Sequence, residues 1–230
     1  MYETSAKEED NTWFNKDRSE STSFRMPNKI FNNINVTNPA IGLNIYKNAV
    51  SKEKCNSYIN TLESKLNGQT RYSWKEATVT NSAKPIKSAR DCSDFKYKDT
   101  DLGPINDENV ELIEMHQDLY SIVKSCVDDY ANYWGINVIY YEAFNFVKYN
   151  GPGQQFKIHA DHGPAYNTTV SVVVYLNDNY EGGDVEFKRH GLRFKAKKND
   201  LLIFPSNFIY NHEVHPVTEG LRYVVVQWMA

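Results

Sequence analysis

The fold is decided by the stretch Gln155-Phe156-Lys157-Ile158-His159-Ala160-Asp161 and by His212 farther along the chain. His159 and Asp161 stand two positions apart, so in a strand both side chains point to the same face. His212 follows a strongly apolar run at 201–204 and a turn, and antiparallel return strands commonly bring such distant positions together. Two histidines and one carboxylate on one face of a divalent metal favour redox-active iron, because other coordination positions stay open.

Three other histidines compete for the same role. His215 has the opposite strand parity to His212 and immediately precedes Pro216, so parity favours His212 as the ligand. We expect His162 in the mouth of a loop. His190 is expected to be solvated in a hairpin turn.

Arg222 follows His212 by ten positions and shares its parity if the chain continues as a strand. A buried guanidinium requires an anionic partner, and a carboxylate held by two hydrogen bonds is the natural match. The alternative is a surface salt bridge, but apolar side chains continue on the same face at Val224, Val226 and Trp228. Two tyrosines in strand contexts can aim a phenol at the same anion, although each alone is typical of a core: Tyr149 and Tyr175.

Length and composition set the broad class. A chain of 230 residues predicts one domain plus an appendage. A net charge of −3 and a pI near 6.1 indicate neither nucleic acid nor an anionic membrane as a partner. Three cysteines, widely spaced and odd in number, are typical of reduced thiols. No secretory signal and no bilayer-spanning run is visible, so we expect a soluble, cytoplasmic or otherwise intracellular protein.

The first half of the chain has a helical pattern. Residues 1–28 are polar and predict a flexible N-terminal extension, and the domain proper is expected at 29–230. From 29 to 46 the pattern is that of edge strands and turns. Ser51 is expected to cap a first helix that ends at residues 67–68. Asn106 or Asp107 is expected to cap a second, long helix that Gly135 closes, with His116 packed near its buried stripe.

After Gly135 the apolar periodicity changes to two, which predicts strands. Helices followed by many strands in hairpin succession indicate an α+β fold, with an antiparallel sandwich or barrel buttressed by helices. We expect the catalytic core within 138–230. The predicted strands cover 138–149, 171–176, 185–187, 201–204 and 223–228.

Residues 69–105 are irregular, polar and aromatic, and a connection of this length has two readings. In the first, a mobile segment flanks the substrate entrance, and Tyr72, Trp74 and Arg90 belong to a lid. In the second, the segment is a plain surface excursion with one or two strands. The sequence leaves both open.

Several further motifs carry a family resemblance. Residues 142–149 resemble a Glu-X-Leu-Gln strand ending in tyrosine, and 153–161 are similar to Gly-Gln-X-Tyr-X-X-His-X-Asp. Residues 181–187 resemble Gly-Gly-Glu-Thr-X-Phe, and 212–222 resemble His-X-Val-X-Pro-Val-X-X-Gly-X-Arg/Lys. These motifs are those of the 2-oxoglutarate/Fe(II) oxygenase superfamily, and most closely of its prolyl 4-hydroxylase branch. The resemblance covers roughly residues 43–230.

The resemblance implies a double-stranded β-helix (jelly-roll) core and Fe(II), 2-oxoglutarate and dioxygen as cofactors, with ascorbate as a reductant. It implies hydroxylation of proline in a peptide or protein, coupled to decarboxylation of 2-oxoglutarate to succinate. The iron ligands would be His159, Asp161 and His212. Arg222 would pair with the distal carboxylate of 2-oxoglutarate, assisted by Tyr149 and Tyr175. Candidate substrate residues are Arg90, Asn145 and Trp228.

The chain departs from the family pattern at a few positions, none of which removes a ligand. Asn145 stands for Gln, Phe156 for Tyr, and Asp184-Val185 for Glu-Thr. Arg90-Asp91-Cys92 stands where the family often has Arg-X-Ser near the peptide groove. Alternative substrates are therefore another amino-acid side chain or a small molecule. A non-catalytic jelly-roll binding module is the alternative from another class, against which the full ligand set and Arg222 argue.

Overall fold

The structure is a computed structural model that describes residues 35–79, 82, 84–163 and 167–230. The predicted N-terminal extension at 1–28, and the predicted start of the domain at 29, lie outside the described residues. Two helices precede most of the strands: α1 (Lys52–Lys65) and α2 (Val110–Trp134). The strands are β1 (Asn35–Ala40), β2 (Leu43–Lys47), β3 (Lys75–Glu76), β4 (Ser93–Tyr97), β5 (Phe144–Tyr149), β6 (Phe156–His159), β7 (Val170–Tyr175), β8 (Glu181–Gly182), β9 (Val185–Phe187), β10 (Leu192–Phe194), β11 (Leu201–Pro205), β12 (His212–Val214), β13 (Val217–Glu219) and β14 (Arg222–Met229).

The strands form a large and a small antiparallel sheet, which confirms the predicted jelly-roll class. The large sheet has the order β1-β2-β11-β7-β14-β5-β4-β3, and the small sheet has the order β10-β9-β12-β6. Strands β8 and β13 pair separately. One cluster of buried side chains lies between the helices and the large sheet, and a second lies among strands of both sheets. The second cluster surrounds the predicted site.

The first helix begins as predicted. Ser51 adopts an extended conformation, and its hydroxyl accepts a hydrogen bond from the backbone N–H of Lys54 at 3.2 Å. The helix ends with Leu66 as its C-cap, one residue before the predicted Asn67-Gly68 stop. On the inner face, Cys55, Tyr58 and Leu62 are buried against the core.

The second helix ends at Gly135, which adopts a left-handed conformation with φ 64°. Its predicted cap was wrong: the N-cap is Asn109, and neither Asn106 nor Asp107 fills that position. The side-chain oxygen of Asn106 instead accepts hydrogen bonds from the backbone N–H groups of Glu108 and Asn109, which forms a turn before the helix. His116 is packed as predicted, with only 7% of its surface exposed.

The predicted strand at 138–149 is too long, because β5 starts only at Phe144. Before β5, the chain makes only an isolated bridge with β14, between Tyr141 and Met229, and the N–H group of Glu142 donates to the carbonyl of Trp228. The N–H groups of Ile139 and Tyr140 both donate to the carbonyl of Ala230.

The segment at 69–105 contains two short strands, as its plainer reading predicted. Strand β4 pairs with β5 at the edge of the large sheet, and β3 pairs with β4. The expectation that Tyr72 and Trp74 belong to a lid was wrong. Tyr72 packs against Phe95 and Trp74 against Tyr223, because burying these rings against the sheet removes much apolar surface from water.

Candidate active site

The predicted metal-binding residues meet at one end of the small sheet, where β6 ends and β12 begins. His159 ends β6 and His212 begins β12, and the two are direct partners in the strand pairing. The Nε2 atom of His159 lies 3.6 Å from Oδ1 of Asp161. One ligand atom from each of His159, Asp161 and His212 can be chosen so that all lie within 4.8 Å of one another. Such spacing fits a single metal ion held on one face.

Asp161 reaches this cluster by a different route from the predicted one. Strand β6 ends at His159, so the rule that positions i and i+2 share a strand face does not apply to Asp161. Hydrogen bonds hold it instead. Ser171 Oγ on β7 donates to Oδ2 of Asp161 at 2.6 Å, and Thr168 Oγ1 donates to its carbonyl at 2.9 Å. Ser171 belongs to the large sheet, and His159 and His212 belong to the small sheet. The hydrogen bond from Ser171 to Asp161 therefore connects the large sheet to the cluster.

Backbone carbonyls orient both histidine rings. The Nδ1–H group of His159 donates to the carbonyl of Lys157 at 2.8 Å, and that of His212 donates to the carbonyl of Tyr210 at 3.1 Å. With Nδ1 protonated in this way, each Nε2 keeps a free lone pair. Such bonds to the outer ring nitrogen are the usual way in which metal-ligating histidines are held in place.

The electrostatics of the cluster favour the protonation states in which His159 and Asp161 can bind a metal ion. Burial, and the neighbouring His212, lower the pKa of His159 well below its usual value. Burial alone raises the pKa of Asp161, but His212, His159 and the hydrogen bond from Ser171 outweigh it and leave this pKa lowered. At neutral pH His159 is therefore neutral and Asp161 is a carboxylate, the forms that bind a divalent cation.

Arg222 lies in the barrel interior, with 2% of its surface exposed. Its guanidinium carbon lies 4.9 Å from the ring centre of Tyr149, 5.6 Å from that of Tyr175 and 5.9 Å from that of Tyr180. Among the described residues, no carboxylate lies within ion-pair distance of it. Burial raises the pKa of the Tyr149 and Tyr175 phenols, so both stay protonated and can donate hydrogen bonds. A positive charge with protonated phenols beside it is suited to an anion.

Arg222 lies in the interior as predicted, but the predicted reason, a strand parity shared with His212, was wrong. The chain between His212 and Arg222 breaks into three strands, so strand parity does not carry across. Arg222 starts β14 in the large sheet and pairs with Tyr149, whereas His212 lies in the small sheet. The two side chains meet because the inner faces of both sheets line one interior cavity of about 50 Å³.

Sequence reasoning missed Tyr180, the third ring beside Arg222. Tyr180 is buried, with only 3% of its surface exposed. Gly183 makes room for this packing, because a Cβ there would lie 3.0 Å from Arg222 Cδ and 3.0 Å from Tyr180 Cε2. The signal was available: an aromatic residue stands just before the glycine pair 182–183.

A groove of about 690 Å³ opens beside the metal-binding cluster, and all three predicted substrate residues line it: Arg90, Asn145 and Trp228. Arg90 lies over the ring of Phe156 at 4.9 Å, and that ring stacks on His159 with 3.6 Å between ring centres. Arg90 also pairs with Asp94 at 3.2 Å. The 69–105 segment thus forms part of the groove wall.

The competing histidines lie outside the cluster. His215 points away from it, and its Nε2 lies 2.6 Å from Oε2 of Glu186. His162 is exposed and its ring bonds to the carbonyl of Thr168. His190 lies in the β9–β10 turn, but the expectation that it is solvated was wrong. Its ring stacks on Tyr210 at 4.6 Å, which partly buries it.

Comparisons with known proteins agree with this geometry. Residues 144–230 match the model of the 2OG-Fe(II) oxygenase superfamily. A PKHD-type hydroxylase from Rippkaea orientalis is 30% identical over 86 residues, which cover 34% of this chain and 38% of the relative. Another PKHD-type hydroxylase, from Colwellia psychrerythraea, is 35% identical over 66 residues, covering 27% and 29% of the two chains. The chain thus matches less than two-fifths of the length of these curated relatives.

Solved structures extend the likeness to most of the chain. A prolyl hydroxylase from Trichoplax adhaerens, in complex with a peptide fragment of the hypoxia inducible factor oxygen degradation domain, has a TM-score of 0.67 at 18% identity. That match covers 82% of this chain and 83% of the other. A prolyl-4-hydroxylase from Pseudomonas putida has a TM-score of 0.61 at 17% identity, over 82% and 92% of the two chains.

The structural matches establish the fold, and the family match covers the strand-rich half. The superfamily implies Fe(II), 2-oxoglutarate and dioxygen as cofactors. Neither helix among the described residues is long and apolar enough to cross a bilayer. Residues 144–230 thus match the 2OG-Fe(II) oxygenase superfamily, and the chain has the double-stranded β-helix fold of the prolyl hydroxylases it resembles.

Proposed function

We propose that this protein is an Fe(II)- and 2-oxoglutarate-dependent dioxygenase that hydroxylates proline residues in a peptide or protein. One observation carries the proposal. A one-faced set of two histidines and a carboxylate shares a barrel with a buried arginine that has no carboxylate partner among the described residues. The first feature fits an iron ion with open coordination positions, and the second fits the distal carboxylate of a 2-oxo diacid.

In this proposal His159, Asp161 and His212 hold the iron. Their fit rests on the spacing of the ligand atoms and on the backbone carbonyls that fix both imidazole rings. Ser171 supports Asp161 by donating to the carboxylate oxygen at 2.6 Å, which leaves the other oxygen toward His159. When bound, iron and 2-oxoglutarate supply the oxidation of a C–H bond with dioxygen, coupled to release of succinate and carbon dioxide.

The protein's own contribution to cosubstrate binding comes from the buried arginine. Arg222 would pair with the distal carboxylate of 2-oxoglutarate, and the protonated phenols of Tyr149 and Tyr175 would donate hydrogen bonds to the same anion. The apolar side chains around the cavity, including Val147 and Val224, exclude water and so strengthen these charge-assisted bonds. Tyr180 packs against the arginine outside this cavity and holds it in position.

The groove supports an amide-containing substrate. Two buried polar atoms in its lining have no hydrogen-bond partner within the described residues: Arg90 Nε and Asn145 Oδ1. One donor and one acceptor suit a peptide backbone, whose N–H and C=O groups need one of each. The Trichoplax neighbour is in complex with a peptide fragment, which favours a peptide substrate here too.

The first test needs no substrate. Purified protein with Fe(II), 2-oxoglutarate and oxygen should release succinate, at least by slow uncoupled turnover, whereas a non-catalytic binding module would release none. His212→Ala should abolish the release, and His215→Ala serves as the control because its side chain faces Glu186 outside the cluster. Full activity of the His212 variant would remove this residue from the metal site.

The second test addresses the substrate. A library of peptides is incubated with the enzyme and its cosubstrates and then measured by mass spectrometry. The proposal expects a mass gain of one oxygen, located on proline. A gain on another residue, or on a free amino acid or small molecule only, would keep the oxygenase and reject the prolyl assignment.

A further inference from the structure

A second cavity of about 410 Å³ lies beside the groove, on the helix side of the large sheet. Its lining includes His116 and Tyr120 from α2, Gln227 from β14, and Tyr140 and Glu142 from the segment before β5. Glu142 also lines the groove, so the two cavities adjoin at this residue. The ion pair between Glu142 and Lys96, at 2.9 Å, marks the boundary.

Two buried polar atoms in this cavity lack hydrogen-bond partners within the described part of the chain. Gln227 is 1% exposed and its Oε1 has no partner, although its Nε2 donates to the carbonyl of Glu142 at 2.7 Å. His116 is 7% exposed and its Nδ1 has none either. A buried polar group without a hydrogen bond is costly, which indicates that a ligand or water forms hydrogen bonds with these two atoms.

The charges and rings of the cavity indicate what kind of ligand fits. Two carboxylates, Asp99 and Glu142, line it together with the ammonium of Lys98. Glu142 is already paired with Lys96, whereas no lysine or arginine of the described residues lies within ion-pair distance of Asp99, so Asp99 is the carboxylate that can accept a cation. Burial lowers the pKa of His116, which keeps that ring neutral at neutral pH. Lys98 Nζ already lies 4.5 Å from the ring centre of Tyr140, so a cation is accommodated against an aromatic face here.

We propose that this cavity is a subsite for an arginine side chain of the substrate, several residues from the hydroxylated position. The planar guanidinium presents five donors, which suit the free acceptor of Gln227 and the carboxylate of Asp99, and its face can stack on Tyr120. This inference rests on the proposed function, because it requires an extended peptide that passes Glu142 from the groove. Substrate choice would then depend on charge as well as on the target residue.

The test compares synthetic peptides that contain one proline and, at each of several flanking positions, either arginine or its neutral isostere citrulline. Binding to the full chain with Fe(II) and 2-oxoglutarate is measured without oxygen, so that no turnover is needed. At one position the arginine peptide should bind about fivefold more tightly, as for one partly exposed charge pair. Asp99→Asn should remove this preference, and Glu114→Gln, an exposed carboxylate on the same helix as His116, should retain it.

The outcomes separate the subsite from the function. Equal binding of arginine and citrulline peptides at every position, no binding by any arginine peptide, or an undiminished preference in Asp99→Asn would each overturn the subsite. Succinate release by the same protein preparations is measured in parallel, in the presence of oxygen. A normal rate alongside any of these results would show that the subsite fails while the proposed oxygenase stands.

Discussion

Replacing Arg222 by methionine is the sharpest test of the anion pocket, because it should stabilise the protein while destroying cosubstrate binding. Arg222 is 2% exposed and has no carboxylate within ion-pair distance among the described residues. A buried charge costs several kcal/mol, of which nearby aromatic faces return about 0.5–2 kcal/mol each. We therefore expect the metal-free, cosubstrate-free variant to gain about 1–3 kcal/mol in the free energy of unfolding.

The same substitution removes two charge-assisted hydrogen bonds to the cosubstrate. Each is worth about 1.5–3 kcal/mol, and a net loss of about 3–4 kcal/mol raises Kd for 2-oxoglutarate roughly 150- to 900-fold. The assay is urea unfolding with and without saturating 2-oxoglutarate. At a concentration of 100 times Kd, the wild type should gain about 2.7 kcal/mol from the ligand, and the variant should gain almost nothing.

A matched control is Arg193→Met. Arg193 is exposed and pairs with Asp184 at 3.0 Å. Its loss should change the free energy of unfolding by at most about 1 kcal/mol and should leave the stabilisation by 2-oxoglutarate unchanged. The reasoning is refuted if Arg222→Met is strongly destabilised without ligand yet keeps the stabilisation by 2-oxoglutarate. That result would mean that the arginine is a structural element and that the anion binds elsewhere.

Three other outcomes follow from contacts in the same region. Ser171→Ala removes the donor to Asp161 and should weaken metal binding by at least about tenfold, measured by Mn(II) titration, while unchanged affinity would make this bond irrelevant. Chelation of the metal should abolish succinate release, and Fe(II) but not Zn(II) should restore it; restoration by Zn(II) would contradict redox chemistry. Burial lowers the pKa of His116 in the folded protein, so the unfolded chain binds a proton on this ring more tightly. The free energy of unfolding should therefore fall as the pH drops below about 6.5. His116→Phe should reduce that slope, measured by urea unfolding at pH 7.5 and 5.5, by at most about 1.4 kcal/mol per pH unit.

The polar residues of the site could be found from the sequence because their chemistry is specific. Two histidines, a carboxylate and a buried arginine have few reasons to occur together, whatever elements position them. The periodicity arguments were less reliable. Strand parity holds only within one strand. It failed for Asp161 because β6 ends at His159, and for Arg222 because His212 and Arg222 begin different strands, β12 and β14, with β13 between them.

Features that depend on tertiary packing were not accessible. Tyr180 was missed because its one sequence signal, an aromatic residue near the glycine pair 182–183, does not show that the ring packs against Arg222. One of two readings placed Tyr72 and Trp74 in a lid because their segment is irregular. In the structure these two rings pack on the core. The cap of α2 was misplaced for a related reason: Asn106 and Asn109 have equal capping propensity, and a local turn decides between them.

Arg222 and the two histidines of the candidate metal site belong to different sheets, so no single strand sets the distance between them. That span is the thickness of the sandwich, which depends on how the side chains between the sheets interdigitate. The distance between Arg222 and the two histidines therefore depends on the apolar side chains packed between the sheets, among them Val147, Val173 and Val224. The length of diacid that the enzyme accepts would be a property of its hydrophobic core, which competition between 2-oxo diacids of different chain length in core variants would reveal.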